Sequence, residues 1–293
     1  MTVIARGAKQ VAEVERALGG RPPKEAIRRS QAELRRYITD HSKERAKALG
    51  EAAKLREPAR ELALGHVDRD DPRLKRQRAA AESMYKRKSR RKLKAPKPRD
   101  VEPSIAIGSI QTIKGPPYDS PWTSTPAGDT TASANHVTGS YDMSAVSFGD
   151  GGRFAGAGIG LWFFAPTDNA AQRVAALVDF SDLWLDSAEY YVAHNDLRTR
   201  IWVWGHGEEN WVGRTEVSPS WSDGVGWLET HSNEPGEDGL ESIQAFFPCR
   251  AGRWYLVWIW SALSVYADSG FWGTAITSAK MAATVHFVVF GSL

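Results

Sequence analysis

Between residues 24 and 64 the apolar positions return with a helical period. Ile27, Leu34, His41, Ala48, Leu55 and Leu62 recur every seven residues, and Gln31, Ile38, Arg45, Ala52, Ala59 and His66 follow them by four. A seven-residue repeat sets these positions on one stripe, the pattern of a coiled coil or a long helical hairpin. The seam is poor, because His41 and Arg45 weaken it. Gly19-Gly20 and Pro22-Pro23 separate this helix from a short one at about 7–18. Pro58 should kink it or start a new helix, and Gly65 to Asp68 read as a stop followed by a cap. A last helix is expected over about 70–94, with Pro72 near its start.

Past residue 104 the pattern changes. Val, Ile, Trp, Phe and Thr gather in short runs bounded by Gly, Pro, Asp and Ser, which reads as strands. The clearest runs are Ile105–Ile113, Ala157–Phe164, Arg173–Phe180, Glu189–Ala193, Arg200–Trp204, Ser242–Phe247, Arg253–Ser264 and Ala283–Phe290. Thr167–Ala176 is the one stretch where a helical turn fits. So many strands without intervening helical periodicity predict an antiparallel β-sandwich of jelly-roll type. The expected layout is a basic helical arm over 1–94, a proline-containing linker over 95–103 and a tryptophan-rich β-sandwich over 104–293.

Charge sharpens that division. Residues 1–100 hold 29 Lys and Arg against 14 Asp and Glu, whereas residues 101–293 hold 9 against 21. All twelve tryptophans lie in the second part, beginning at Trp122. The arm is rich in alanine and poor in larger apolar residues, so it needs a partner: a second copy, its own sandwich or a larger assembly. The basic run Lys86–Lys94 then meets either the acidic sandwich or a polyanion, an anionic membrane or a nucleic acid being the less favoured partners. No run approaches the 18 uncharged apolar residues of a membrane-spanning helix. The first residues lack a signal-peptide core, so a cytoplasmic origin is expected, with release by lysis or a dedicated apparatus.

The strand Arg253–Trp260 is apolar on both faces, and Ile201–Trp204 repeats that pattern. The plain reading is burial between the two sheets on one side and beneath the helical arm on the other. The alternative is an aromatic platform for sugar rings. Tryptophans in turn-like surroundings are better ligand candidates, because loops on a rigid sandwich carry recognition. Trp211, Trp221 and Trp227, beside the hydroxyl-binding carboxylates Glu209 and Asp223, form the candidate site.

Metal-ligand spacings are weak: Asp179, Asp182 and Asp186 do not follow a calcium loop, and the histidines lack zinc spacing. No nucleophile elbow or phosphate-cradling loop occurs. The glycines of 149–160 read as a wide loop with strand bulges, and the lone Cys249 as a small buried hydrophobe. No catalytic residue, metal or cofactor is therefore expected. The leading reading is a non-enzymatic binding or structural protein whose arm oligomerises or docks and whose sandwich recognises a glycan or cell surface. The alternatives are a membrane-active toxin using the amphipathic helices and a polysaccharide hydrolase.

Overall fold

The computed structural model describes residues 22–55, 71–97, 109–126, 128–189, 192–205, 210–216, 221–226, 229–233, 239–269 and 274–292, with the single positions 13, 17, 19, 20 and 58. Among the described residues, two helices precede thirteen strands. Helix α1 spans Lys24–Leu55 and α2 spans Pro72–Arg90. A six-stranded antiparallel sheet is ordered β2 (Ser120–Ser124), β5 (Asp150–Ala165), β12 (Arg253–Asp268), β7 (Val192–Gly205) and β8 (Asn210–Glu216), with β9 (Trp221–Val225) also on β7. A seven-stranded sheet is ordered β10 (Glu229–Ser232), β6 (Asn169–Ala188), β13 (Ala275–Ser292), β4 (Ser140–Ser147) and β3 (Thr130–Asn135). There, β1 (Ser109–Lys114) joins β13 and β11 (Gly239–Cys249) joins β6.

The sheets face each other across one interior. Ile159, Val203, Val257 and Ile259 from the first meet Val178, Ala283, Val285 and Phe290 from the second. Phe163 and Phe290 stack with ring centroids 4.3 Å apart, and Cys249 is buried in the same core. Alternation along each strand sends every second residue inward, so the β-sandwich follows from the strand pattern.

The helices do not pair into a coiled coil to bury the stripe of α1. Its residues Ala26, Ser30, Leu34, Ile38 and Ser42 are buried, and Ala26, Leu34 and Ile38 belong to the aromatic cluster on the outer face of the six-stranded sheet. Only the first half of the seven-residue stripe meets the sheet: Leu34 and Ile38 are buried and Ile27 and His41 half-buried, whereas Ala48, Ala52 and Leu55 are exposed, and Ala59, Leu62 and His66 lie outside the described residues. Helix α2 lies on the outer face of the seven-stranded sheet. Asp71 caps it, its carboxylate accepting from the Arg73 amide at 2.7 Å. Leu74, Ala81 and Lys88 are its buried stripe, Arg78 bonds Glu189 at 2.9 Å, and Tyr85 meets Phe148 edge-on. Lys280 of β13 donates to the carbonyls of Lys88, Ser89 and Arg91, closing the helix C-terminus. The chain continues extended beside β13, where Thr284 donates to the Pro96 carbonyl at 2.6 Å.

Two local expectations are corrected. Residues 167–176 form no helical turn: β6 begins at Asn169, because β11 and β13 flank that stretch and take its backbone hydrogen bonds. Glu189–Ala193 is not a strand of its own; it contains the connection from β6 to β7, with 190–191 outside the described residues. The expected helix at 7–18, the kink at Pro58 and the stop at 65–68 also fall outside them, isolated positions apart.

Candidate functional site

The largest concentration of aromatic side chains lies beneath α1. On β12, Tyr255, Val257 and Ile259 enter the inter-sheet core, while Trp254, Leu256, Trp258 and Trp260 point the other way. Trp202 and Trp204 of β7, Trp162 and Phe164 of β5 and Trp122 of β2 join them. The rings pack edge-to-face: Trp260 meets Trp122 and Trp202 at 5.6 and 5.1 Å, and Tyr37 of α1 meets Trp202 at 4.6 Å. This is the favoured geometry of quadrupolar rings. The plain reading of Arg253–Trp260, core on one face and helix on the other, describes the structure.

Glycine makes the layer possible. Gly156, Gly158 and Gly160 point toward the helix from β5, and Gly158 and Gly160 stand in register opposite Trp260 and Trp258. A Cβ at 160 would lie 2.8 Å from the Trp258 ring, one at 156 would overlap Ile38 Cδ1, and one at 158 the carbonyl oxygen of Ile259. The glycines therefore form a trough filled by indoles and by Ile38. They are not a wide loop with bulges, since the pairing of β5 with β12 runs unbroken through them.

Polar contacts fix the helix over the trough. The Trp258 indole donates to Ser30 Oγ at 2.9 Å, Trp254 to the Gly19 carbonyl at 2.8 Å, and Gln31 to the Pro121 carbonyl at 3.0 Å. Toward its C-terminal half, Arg45 bonds Asp196 at 2.8 Å and also the Nε2 atom of His194. Arg198 shares Asp196 at 3.1 Å, and the buried Arg200 lies over the Trp260 and Tyr37 rings. A cavity of about 20 Å³ lies among these groups, with Tyr37, His41, Arg200 and Ser264 in its wall. Burial lowers the pKa of both His41 and His194, and the neighbouring arginines add to it, so neutral imidazoles face this cationic corner.

The candidate ligand residues do not converge. Trp211 lies on edge strand β8 opposite Trp204, half-buried against Trp202 and Trp204, with Arg214 4.6 Å over the Trp202 ring and 5.9 Å from that of Trp211. It extends the aromatic layer to the sheet margin. Trp221 lies on β9 opposite Leu197, packs on the inter-sheet core and donates its indole N–H to Asn195. Leu197 and Trp204 are seven residues apart on β7, about 23 Å at ~3.3 Å per residue. The two tryptophans thus serve opposite ends and opposite faces of the sheet. Asp223 sits near Trp221 and pairs with His231 at 3.2 Å. Glu209 and Trp227 lie outside the described residues.

Sequence reading missed the groups that these tryptophans contact. Arg214 and Arg200 gave no signal, because cation–π partners are set by cross-strand register. Asp179, Asp182 and Asp186 stand close together in the sequence. Alternation sets Asp179 apart from the other two: Asp179 approaches His286 at 3.5 Å on the outer face, whereas Asp186 is buried between the sheets. There it accepts from Asn195 at 2.7 Å and Thr277 at 2.5 Å, and burial raises its pKa to about 7. Asp186, Asn195, Thr277 and Trp221 form a polar stitch between the two sheets.

No family model and no curated protein matches this chain. Among solved structures it is similar to the carbohydrate-binding module TmCBM61 in complex with β-1,4-galactotriose, at 14% identity and a TM-score of 0.21 over 60% of this chain and 90% of that one. It is also similar to the family 11 carbohydrate-binding module from Clostridium thermocellum in complex with a mixed-linked tetrasaccharide, at 11% identity and 0.22, over 59% and 89%. A third is the enzymatically active domain of tailspike protein 4 of bacteriophage CBA120, at 11% and 0.16, over 59% and 19%. Likenesses of this size carry no argument about ligand.

Proposed function

We propose that the protein is a non-enzymatic binding protein in which α1 and α2 brace a rigid sandwich that recognises carbohydrate at the exposed margin of its aromatic layer. The observation that carries this reading is the setting of Trp211. Trp202 and Trp204 hold it edge-on, Arg214 lies over the rings, and the exposed Asn210 begins the same edge strand. A fixed aromatic face beside amide and guanidinium donors is what stacking on a pyranose and bonding its hydroxyls require. The rest of the tryptophan face is occupied by α1 and offers no platform. Trp221 acts as an anchor for the polar stitch in this reading.

Glycan-array and affinity-gel measurements on the full chain test it. Trp211→Ala and Arg214→Ala should each weaken retention at least tenfold, with unfolding transitions reported alongside. Failure of the parent chain to retain any glycan, or retention unchanged in both variants, refutes the assignment.

A further inference from the structure

Much of the charge of α2 faces away from the sheet beneath it. From Pro72 to Lys97 the sequence has twelve Lys and Arg against one acid, Glu82. Packing on the sandwich uses Leu74, Ala81 and Lys88, one stripe of the helix, together with Arg78 and Tyr85. At 100° per residue, Ala79, Ser83, Lys86 and Arg90 lie on the opposite side. Glu82 and Arg87 flank them on the same exposed surface. Beyond the helix, Arg91, Lys92 and Lys94 are exposed as well.

We infer that the outward face of α2, continued by residues 91–97, is a docking ridge for the phosphodiester backbone of double-stranded nucleic acid. Short side chains, Ala79 and Ser83, run between long cations, so a phosphate strand can approach the helix while Lys86, Arg87 and Arg90 reach its oxygens. The helix is 19 residues, about 28 Å at ~1.5 Å per residue. That matches roughly eight base pairs at ~3.4 Å each. Lys280 holds the C-terminal turn and the buried Lys88 reaches the Asn233 carbonyl, so the helix that carries the array is anchored to the sandwich. Residues 101–293 carry nine cations against 21 acids, and α1 sets five acids against its nine cations, so the positive charge least offset by acids is on this ridge.

Single strands fit less well. Stacking on bases needs exposed aromatic rings, and Tyr85 is turned onto Phe148. A lipid surface fits less well too, because interfacial helices bury an apolar face, and Leu74 and Ala81 already face the sandwich.

Fluorescence anisotropy with the full chain and two duplexes of unrelated sequence tests the inference, with a single strand and vesicles containing phosphatidylserine in parallel. Both duplexes should bind with similar affinity that falls steeply with salt. Lys86→Gln, Arg87→Gln and Arg90→Gln combined should lower the log–log salt slope by about three, each phosphate neutralised contributing ~0.9. The pair Arg28→Gln and Arg36→Gln, exposed on α1, should leave binding within twofold. No duplex binding, preference for the single strand or the vesicles, or an equal loss in the α1 pair would overturn it.

Discussion

The indole N–H of Trp258, at the centre of the six-stranded sheet, donates to the hydroxyl of Ser30 in α1 at 2.9 Å, and both side chains are fully buried. The Ser30 hydroxyl in turn donates to the Ala26 carbonyl at 2.7 Å. A serine inside a helix is usually neutral or unfavourable, because its side chain competes for backbone groups. Here it accepts from an indole that the layer has sealed from water. Ser30→Ala would leave that N–H buried without an acceptor, which costs about 1–3 kcal/mol. Alanine's better helix propensity returns less than ~0.7 kcal/mol of this. Urea unfolding should therefore show a net loss, and a double-mutant cycle with Trp258→Phe should show positive coupling. Additive effects would mean that the bond contributes nothing.

The glycine trough gives a prediction in which the neighbours differ. Ala at 158 meets the backbone oxygen of Ile259, which cannot turn away, whereas Ala at 156 meets the tip of the Ile38 side chain and the Trp122 ring. Overpacking of a dense core costs about 1–3 kcal/mol. Gly158→Ala should be the more damaging of the two by thermal melting. Ile38→Ala is destabilising alone, yet it should recover part of the Gly156→Ala loss by vacating the contested space. Absence of any recovery would place the conflict at Trp122 instead.

Asp186 gives a pH dependence of definite sign. Its folded pKa is raised to about 7 from an ordinary value of 3.8, mainly by burial, against the opposing bonds from Thr277 and Asn195. The folded protein therefore keeps this proton where the unfolded chain releases it. The resulting stabilisation is complete below the unfolded value and is lost as pH rises through about 7. Asp186→Asn keeps a neutral polar group of the same shape between Asn195 and Thr277. It should flatten the fall in urea midpoint between pH 5 and pH 8 and exceed the parent at pH 8. An unchanged slope would show that Asp186 is ionised throughout.

How much of this was legible beforehand depended on what each signal reports. The two-residue alternation of Arg253–Trp260 and Ile201–Trp204 described their burial correctly, because a side chain's face follows from backbone geometry alone. The stripe through Ile27, Leu34 and Ile38 reported a helix face, yet a period cannot say whether a helix or a sheet fills the other side. His41 and Arg45 looked like flaws in a coiled coil; against β7, Arg45 has a partner in Asp196. The Gly, Ser and Asp around Trp211 and Trp221 suggest loops. Both are on short edge strands whose conformation is imposed by pairing with β7. Gly156–Gly160 misled for the same reason, as the indoles that require them are about a hundred residues away in sequence.

The corner where Arg45 meets β7 predicts how α1 responds to acid. Arg45 donates to His194 Nε2, which requires that nitrogen to be unprotonated. Burial, and then Arg45, lowers the pKa of His194; burial, Arg200, Arg45 and Arg198 do the same for His41. For a histidine with a depressed folded pKa, the stabilisation is complete above the unfolded value of 6.5 and is lost as pH falls through the folded one. Acid therefore sets two imidazolium charges against three arginines and breaks the Arg45 contact, loosening the C-terminal half of α1. Asp186 acts in the opposite direction over part of that range, so the measurement belongs in an Asp186→Asn background. Amide hydrogen exchange of α1 should quicken between pH 7 and pH 5 beyond its intrinsic pH dependence, while β12 stays protected. His194→Asn presents an amide oxygen to Arg45 and has no proton to gain, so it should remove part of the acceleration and leave the His41 share. Exchange in α1 and β12 rising together would mean that the whole fold opens and that the helix has no acid response of its own.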